Sequence, residues 1–359
     1  MTVFGADPDL VRRALANADP LPGTAGFAGN IDGRLVRDVL GRELCYSEAD
    51  DHTAWSRDPR ELADPVALPA GHARDDAGDE RVWSLPALDP ASDADRAVPD
   101  VRTALDTTLS TVDTDNLAVA FSGGVDSALL AARLDAPLYV AGFPDSHDVA
   151  AARSAAELLG REVRVVELDH AALADAVPRL VDAIGRTDAM AIQIALPLFL
   201  VAERVAADGF DRLALGQGAD ELFGGYAKVA RAPDDPRVEA ETVRGARDEM
   251  LATLPDQLER DVLAMRGAGV EPVTPLLHDR VVRAAVALSG ELLVTPRGDR
   301  KWALRLAVRE WLPDRIAFRE KKAVQYGSLV SRELDRLARQ NGFKRRMDDH
   351  VTQYVESLV

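Results

Sequence analysis

The sequence has 359 residues, 47% hydrophobic and 29% charged, too long for one average domain and too apolar for a disordered chain, so two domains are expected. Sixty Asp and Glu against 43 Lys and Arg leave a formal charge of -17, a field that repels nucleic-acid phosphates and anionic membranes, so neither is expected as a partner. One cysteine, Cys45, excludes an internal disulfide framework and a multi-thiol zinc site.

The charge is unevenly made: 41 Asp to 19 Glu, and 38 Arg to 5 Lys. Two origins fit. Dense carboxylates keep a protein soluble in a salt-rich cytoplasm, where the Debye length falls to about 3 Å at 1 M; a GC-rich genome favouring Ala, Arg, Asp and Val codons leaves the same imprint. The first residues show no cationic start followed by an apolar core, and the longest near-apolar run, 191–202, is broken by Gln193 and Pro197. A cytoplasmic protein without a membrane span is therefore expected.

In chain order, residues 22–70 offer short segments split by Gly and Pro, which suggests a small, mostly β unit. Residues 75–100 concentrate Asp, Pro and small side chains, the composition of a linker, with a boundary near Asp100. The pattern then alternates: apolar LAVAF at 117–121, a helix from Ser127, LYVAG ending at Gly142, a helix over 148–159, and VRVVEL at 163–168. A long helix through 201–207 and a strand at 212–215 follow. Strand and helix in alternation predict a parallel sheet with helices on both faces, an α/β fold. From about residue 235 onward the pattern is helical with no regular strand, and the tail after Arg332 reads as one or two helices.

Chemistry concentrates in three stretches. Ser122, Gly123, Gly124, Val125, Asp126 and Ser127 stand between a strand and a helix. The glycines allow a tight turn with amides pointing inward, the serines add donors, and the helix start adds partial positive charge: an anion cradle sized for a diphosphate. Asp126 beside a phosphate requires a divalent cation between them, so it is a candidate Mg²⁺ ligand. The bland alternative is a glycine turn whose Asp126 or Ser122 only caps a helix. Next, Gly216, Gln217, Gly218, Ala219, Asp220 and Glu221 open a glycine-rich turn carrying adjacent acids. Paired carboxylates near a triphosphate need a metal or an amine, although a helix dipole alone also favours acids there. Third, three of the five lysines, Lys301, Lys321 and Lys322, fall within residues 301–322 of a chain that otherwise replaces lysine by arginine. A compact ammonium can neutralise a developing phosphorane where a planar guanidinium is no substitute.

The SGGVDS stretch resembles the pyrophosphate loop of ATP pyrophosphatases. LGQGADELFGGY at 215–226 is similar to the GEGADELFGGY stretch of the synthetase domain of asparagine synthetases and their β-lactam synthetase relatives. The third stretch resembles the same family's lysine element, with Lys321 at the position of its catalytic lysine and Lys322 as the near alternative. The resemblance implies a parallel-sheet fold of the adenine nucleotide alpha hydrolase type, with a small β front domain and a helical C-terminal part. It implies an ATP- and Mg²⁺-dependent ligase that activates the aspartate side chain as an acyl-adenylate, releases pyrophosphate and amidates with ammonia. Ser122, Gly123, Gly124, Asp126, Ser127, Gly142 and Gly216 would hold the nucleotide and Asp126 and Asp220 the Mg²⁺. Lys301, Lys321, Glu221 and Gln217 would carry the chemistry, Glu221 holding the amino-acid substrate.

The expected organisation is 1–95 as a shortened glutaminase-like domain and linker, 96–335 as the synthetase domain, and 336–359 as a helical tail. Thr2 stands where glutamine-using members have their nucleophilic Cys, so the front is expected to be a non-hydrolysing remnant. Three departures stand out: Gln217 for the family's Glu, Val273 for its Arg and His278 for its Asp. An amide can orient ammonia but cannot deprotonate ammonium, so another base acts, ammonia arrives neutral, or the acceptor amine differs. His278 is either a proton carrier or a capping residue. Rival readings are a non-catalytic or partner-dependent nucleotide-binding subunit paired with a separate glutaminase chain, an amide ligase for another carboxylic acid, and a tRNA-modifying pyrophosphatase, against which the acidic charge and the GADELFGGY stretch argue. A homo-oligomer is left open.

Overall fold

The computed structural model describes residues 2–91, 93–232, 234–320 and 327–359. The chain divides into two compact units: a front unit of residues up to Thr111, Gln217–Glu259 and Thr274–Ala307, and a sheet unit of Val112–Gly216, Arg260–Val273 and Val308–Val359.

The front unit holds β1 (Thr2–Phe4), β2 (Ala28–Ile31), β3 (Arg34–Arg37), β4 (Tyr46–Glu48), β5 (Trp55–Ser56), β6 (Pro65–Ala67), β7 (His72–Asp75) and β8 (Gly78–Arg81). They form an antiparallel sheet ordered β1-β2-β3-β7-β8 and a small sheet β5-β4-β6. The mostly β front is as expected. The β2–β3 hairpin closes through Asp32 and Gly33, both at positive φ (52° and 92°), the backbone of the two-residue turn that matches strand twist. Because successive strand side chains point to opposite faces, Val36 joins Phe27, Ile31 and Trp83 in one core. Its neighbour Leu35 joins Ala28, Cys45 and Leu68 in another. Cys45 is fully buried, and desolvation pushes its thiol up to about 12.

The stretch expected to be a linker is structured at both ends: it supplies β8 and the first turns of the helix Ala94–Leu109, inside which Asp100 lies. Asp93 caps the helix, and Val98, Val101, Leu105 and Leu109 bury one stripe at helical spacing. Three acids, Asp95, Asp100 and Asp106, and the internal Pro99 mask that period.

The sheet unit contains β9 (Leu117–Ala120), β10 (Leu138–Gly142), β11 (Val163–Glu167), β12 (Arg212–Ala214) and β13 (Glu271–Val273). All pair in parallel, in the order β11-β10-β9-β12-β13, which confirms the α/β fold with a parallel sheet. β13 corrects the expectation of no strand after residue 235. It is a three-residue edge strand, where Pro272, lacking an amide proton, is tolerated. The apolar run at 191–202 lies in the helix Ala189–Ala207, with mean hydropathy 1.6 long and apolar enough to cross a membrane by composition. Its buried side chains, Ile192, Leu196, Phe199 and Ala202 among them, pack on β10 and on the helix His170–Ile184. The helices Val330–Gln340 and His350–Glu356 form the tail.

Candidate active site

In a doubly wound sheet the strand order reverses between the first strand and the one added on its other side, and a crevice opens there beyond the strands' carboxyl ends. Here that point lies between β9 and β12. The Ser122–Ser127 loop leaves β9 at this edge, and Gly216 follows β12 at the same edge. Gly123 turns the chain at φ 73°, and a Cβ there would sit 2.6 Å from the Ala151 carbonyl oxygen, so the position admits only glycine. The helix Val125–Arg133 starts at Gly124 with no side chain capping it, which leaves first-turn amides for an anion. The Ser127 hydroxyl accepts from the Ser122 amide at 3.2 Å and donates to the Gly124 carbonyl at 3.2 Å, bracing the turn. Asp126 is buried in that first turn, 4% exposed. A Cβ on Gly216 would fall 2.7 Å from the Asp126 Cβ, so the end of β12 is in van der Waals contact with the loop. Gly142 ends β10 against the Ser146 hydroxyl, which caps the helix His147–Leu158.

In the front unit, Gly218 (φ 90°) and Gly224 (φ 70°) bracket the helix Ala219–Phe223. Asp220 Oδ1 lies 2.8 Å from Lys301 Nζ. Gly225 packs so tightly against this pair that a Cβ would overlap both the Asp220 carboxylate and Lys301 Cε. Lys301 is buried and held at φ 58°, a left-handed backbone that a non-glycine residue adopts at a cost of about 1–2 kcal/mol. Arg300 next to it donates to the Gly225 carbonyl at 2.8 Å, and Arg305 Nε donates back to the Arg300 carbonyl at 2.7 Å. Glu221 is 4% exposed and accepts from the Tyr226 hydroxyl. Burial first, and then the charge of Asp220, push its carboxyl above the ordinary range, against the pull of Tyr226 and Lys301. Gln217 is half-buried at the start of this turn.

His278 behaves as the capping residue: its Nδ1 accepts from the Arg280 amide at 3.1 Å at the start of the helix Asp279–Val286. Burial, and then Arg280, lower its pKa. The partner that matters is Asp279, which accepts from the Gly23 and Thr24 amides and pairs with the buried Arg42 at 2.7 Å. Val273 is the last residue of β13, and Arg260 pairs with Asp261 at 2.7 Å.

The structure thus gathers Ser122, Gly123, Gly124, Asp126, Ser127 and Gly216 at one edge of the sheet unit. It gathers Gln217, Asp220, Glu221 and Lys301 in the front unit. Lys321 and its alternative Lys322 lie outside the described residues. Sequence reasoning missed the supporting roles of Tyr226 and Arg300; the signals were present, Tyr226 closing the GGY end of its motif and Arg300 adjoining Lys301.

The asparagine synthase family profile matches residues 100–246 and 233–356. A putative glutamine-hydrolyzing asparagine synthetase of Methanocaldococcus jannaschii is 29% identical over 281 residues, covering 68% of this chain and 52% of that protein. Asparagine synthetase B of Escherichia coli, also named glutamine-hydrolyzing, is 27% identical over 58% of this chain and 41% of its own length. The asparagine synthetase of Brassica oleracea is 28% identical over 58% of the chain. The chain spans about half the length, or less, of these relatives. With the family profile running over most of the sequence, the chain belongs to the asparagine synthase family.

Proposed function

We propose that the protein is an ATP-dependent amide-forming ligase that converts aspartate and ammonia to asparagine. The observation that supports this best is the glycine loop with its uncapped helix start, placed beside Gly216 where the sheet order reverses. An aspartate β-carboxylate oxygen attacks the α-phosphorus of ATP, pyrophosphate leaves, and ammonia attacks the acyl carbon of the adenylate, losing a proton as AMP departs. The loop amides and serines hold the leaving pyrophosphate, and Lys301, with Lys321, offsets the charge that builds on it. Glu221, buried beside Asp220, takes the substrate's amino group, and Gln217 orients the incoming ammonia.

Asp126 and Asp220 are the residues that would hold Mg²⁺. Carboxylate oxygens few in number, completed by substrate phosphates, are the donor set that ion takes, and among the described residues no cluster of three or more metal-ligating side chains forms. When bound, the ion would neutralise charge on the triphosphate. Cys45, buried and with its thiol pushed up to about 12, does not serve as a glutamine nucleophile. The nitrogen source in this proposal is free ammonia or ammonia delivered by a glutaminase partner.

The test is pyrophosphate release from Mg-ATP with aspartate, with and without ammonium, in molar KCl. Release that needs aspartate, with asparagine formed when ammonium is present, is the expected result. Release with another carboxylic acid but not aspartate would keep the adenylation and replace the substrate. Nucleotide binding with no release under any acid would refute catalysis. Asp126→Asn and Lys301→Ala should each lower the rate at least about 10²-fold, the scale for losing one charge-stabilising group; near-normal rates would refute the residue assignment.

A further inference from the structure

In the sheet unit, one carbonyl group of the helix His147–Leu158 carries two contacts. The first is with the Ser122–Ser127 loop: a Cβ on Gly123 would stand 2.6 Å from the Ala151 carbonyl oxygen and 3.0 Å from Ala152 Cα, so the loop backbone rests on the helix there. The second is with Arg319, whose Nη1 donates to the same oxygen at 2.9 Å while its Nη2 donates to the Ser154 hydroxyl at 3.1 Å. A helical carbonyl spends one lone pair on the amide four residues on and keeps a second, so Arg319 takes it without breaking the helix.

Arg319 is itself braced. Its amide donates to the carbonyl of the buried Ile316 at 3.1 Å, at the end of the short helix Asp314–Ala317. That helix packs on the helix Val125–Arg133, the one that the loop opens. The base of Arg319 thus rests on the loop's own helix while its fork reaches the neighbouring one, at acceptors three residues apart on one face. A planar guanidinium spans two such acceptors, whereas a lysine ammonium is a point charge on a flexible stem. Arg161 provides the contrast. It donates to the Ala131, Leu134 and Ala136 carbonyls at 2.7, 3.3 and 2.7 Å, where the helix Val125–Arg133 ends and the chain turns into β10, at the far end of that helix from the loop.

We infer that Arg319 is a positioning residue for the phosphates: its guanidinium fixes the Ala151 face of the helix on which Gly123 rests, and so sets the loop amides that receive pyrophosphate. It acts through the helix and the loop rather than on the reacting atoms. The inference rests on the reading of the loop as a phosphate cradle and is tested by binding, without turnover.

Inorganic pyrophosphate with Mg²⁺ is the probe, titrated calorimetrically into the full chain in molar KCl, where screening over about 3 Å removes most of the effect of a lost charge. At a temperature well below melting, Arg319→Lys and Arg319→Gln should each raise the Kd about tenfold, the scale of one hydrogen bond from a charged donor. Ser154→Ala removes one acceptor and keeps the arginine; it should raise the Kd about threefold and carries the test if the arginine variants do not fold. Arg161→Lys should lower Tm and leave the Kd at the parental value. An unchanged Kd in the Arg319 variants, a parental Kd restored by lysine, or equal weakening in Arg161→Lys would overturn the inference, as would a parent that binds no pyrophosphate. A parent that binds pyrophosphate but turns over no carboxylic acid refutes the ligase reading and leaves the inference standing.

Discussion

At the scale of single residues, the most informative group is Glu221. Its carboxyl, raised by burial and by Asp220, titrates at higher pH in the folded chain than in the unfolded one. Between those two values the folded state binds the extra proton, so stability falls as pH rises through that window. Above it, the fold carries an ionised carboxylate in a buried place. Glu221→Gln removes that charge while keeping the Tyr226 contact. Thermal unfolding of the variant should match the parent at acid pH and occur at higher temperature at neutral pH; parallel curves at all pH values would show that Glu221 ionises as easily folded as unfolded. The same substitution is expected to abolish turnover, so a residue chosen for chemistry lowers stability, as strained functional positions do. Lys301 is a second case: its positive φ and its ion pair with Asp220 together hold an ammonium in place.

At the scale of elements, the turn from β9 into the helix Val125–Arg133 depends on one backbone position. Gly123→Ala puts a methyl group against the Ala151 carbonyl and forces a left-handed residue with a side chain. The left-handed strain alone costs about 1–2 kcal/mol, so the fold should survive while the amide cradle moves. The expected outcome, read by nucleotide titration and by melting in parallel, is at least tenfold weaker ATP binding with a modest fall in Tm. Unchanged ATP affinity would mean that the loop does not hold the phosphates. The strands and helices of the sheet unit were legible in the sequence because each is a run of one period: apolar LAVAF and LYVAG for doubly covered strands, and a 3.6-residue stripe for the helices. The helix Ala94–Leu109 and β13 were not legible. In the helix three acids, Asp95, Asp100 and Asp106, and an internal Pro99 break up a four-residue stripe, and β13 is too short to show alternation and contains a proline.

At the scale of the whole molecule, the buried cluster of Asp38, Arg42 and Asp279 joins distant parts of the sequence into one unit. Arg42 pairs with both acids at 2.7 Å and donates to the Leu277 carbonyl at 2.7 Å. Replacing one partner of a buried pair leaves the others uncompensated, at about 3–5 kcal/mol. Arg42→Met should therefore lower the urea midpoint of the front unit strongly, and a variant as stable as the parent would show that the cluster is dispensable. Charge also acts globally. The formal charge of -17 repels itself in the compact state, and salt screens it. If the acidic composition reflects salt adaptation, Tm should climb steadily with KCl up to molar concentrations; a Tm that levels off once ordinary ionic strength is reached points to codon bias instead.

What the sequence determined by itself was everything encoded within a short window: the period of each strand and helix, the glycines that a tight turn demands, and the residue types a phosphate cradle needs. These are local because backbone sterics and side-chain alternation act over one or two turns of chain. What only the tertiary structure decided were relations across long loops. The strand order put Gly216 against Asp126, Gly225 closed on the Asp220 and Lys301 pair, and Asp279 rather than His278 took the structural role at its helix start. Such pairings depend on which distant segments pack together, and a close contact between two backbones leaves in the sequence only a glycine, without saying what it touches.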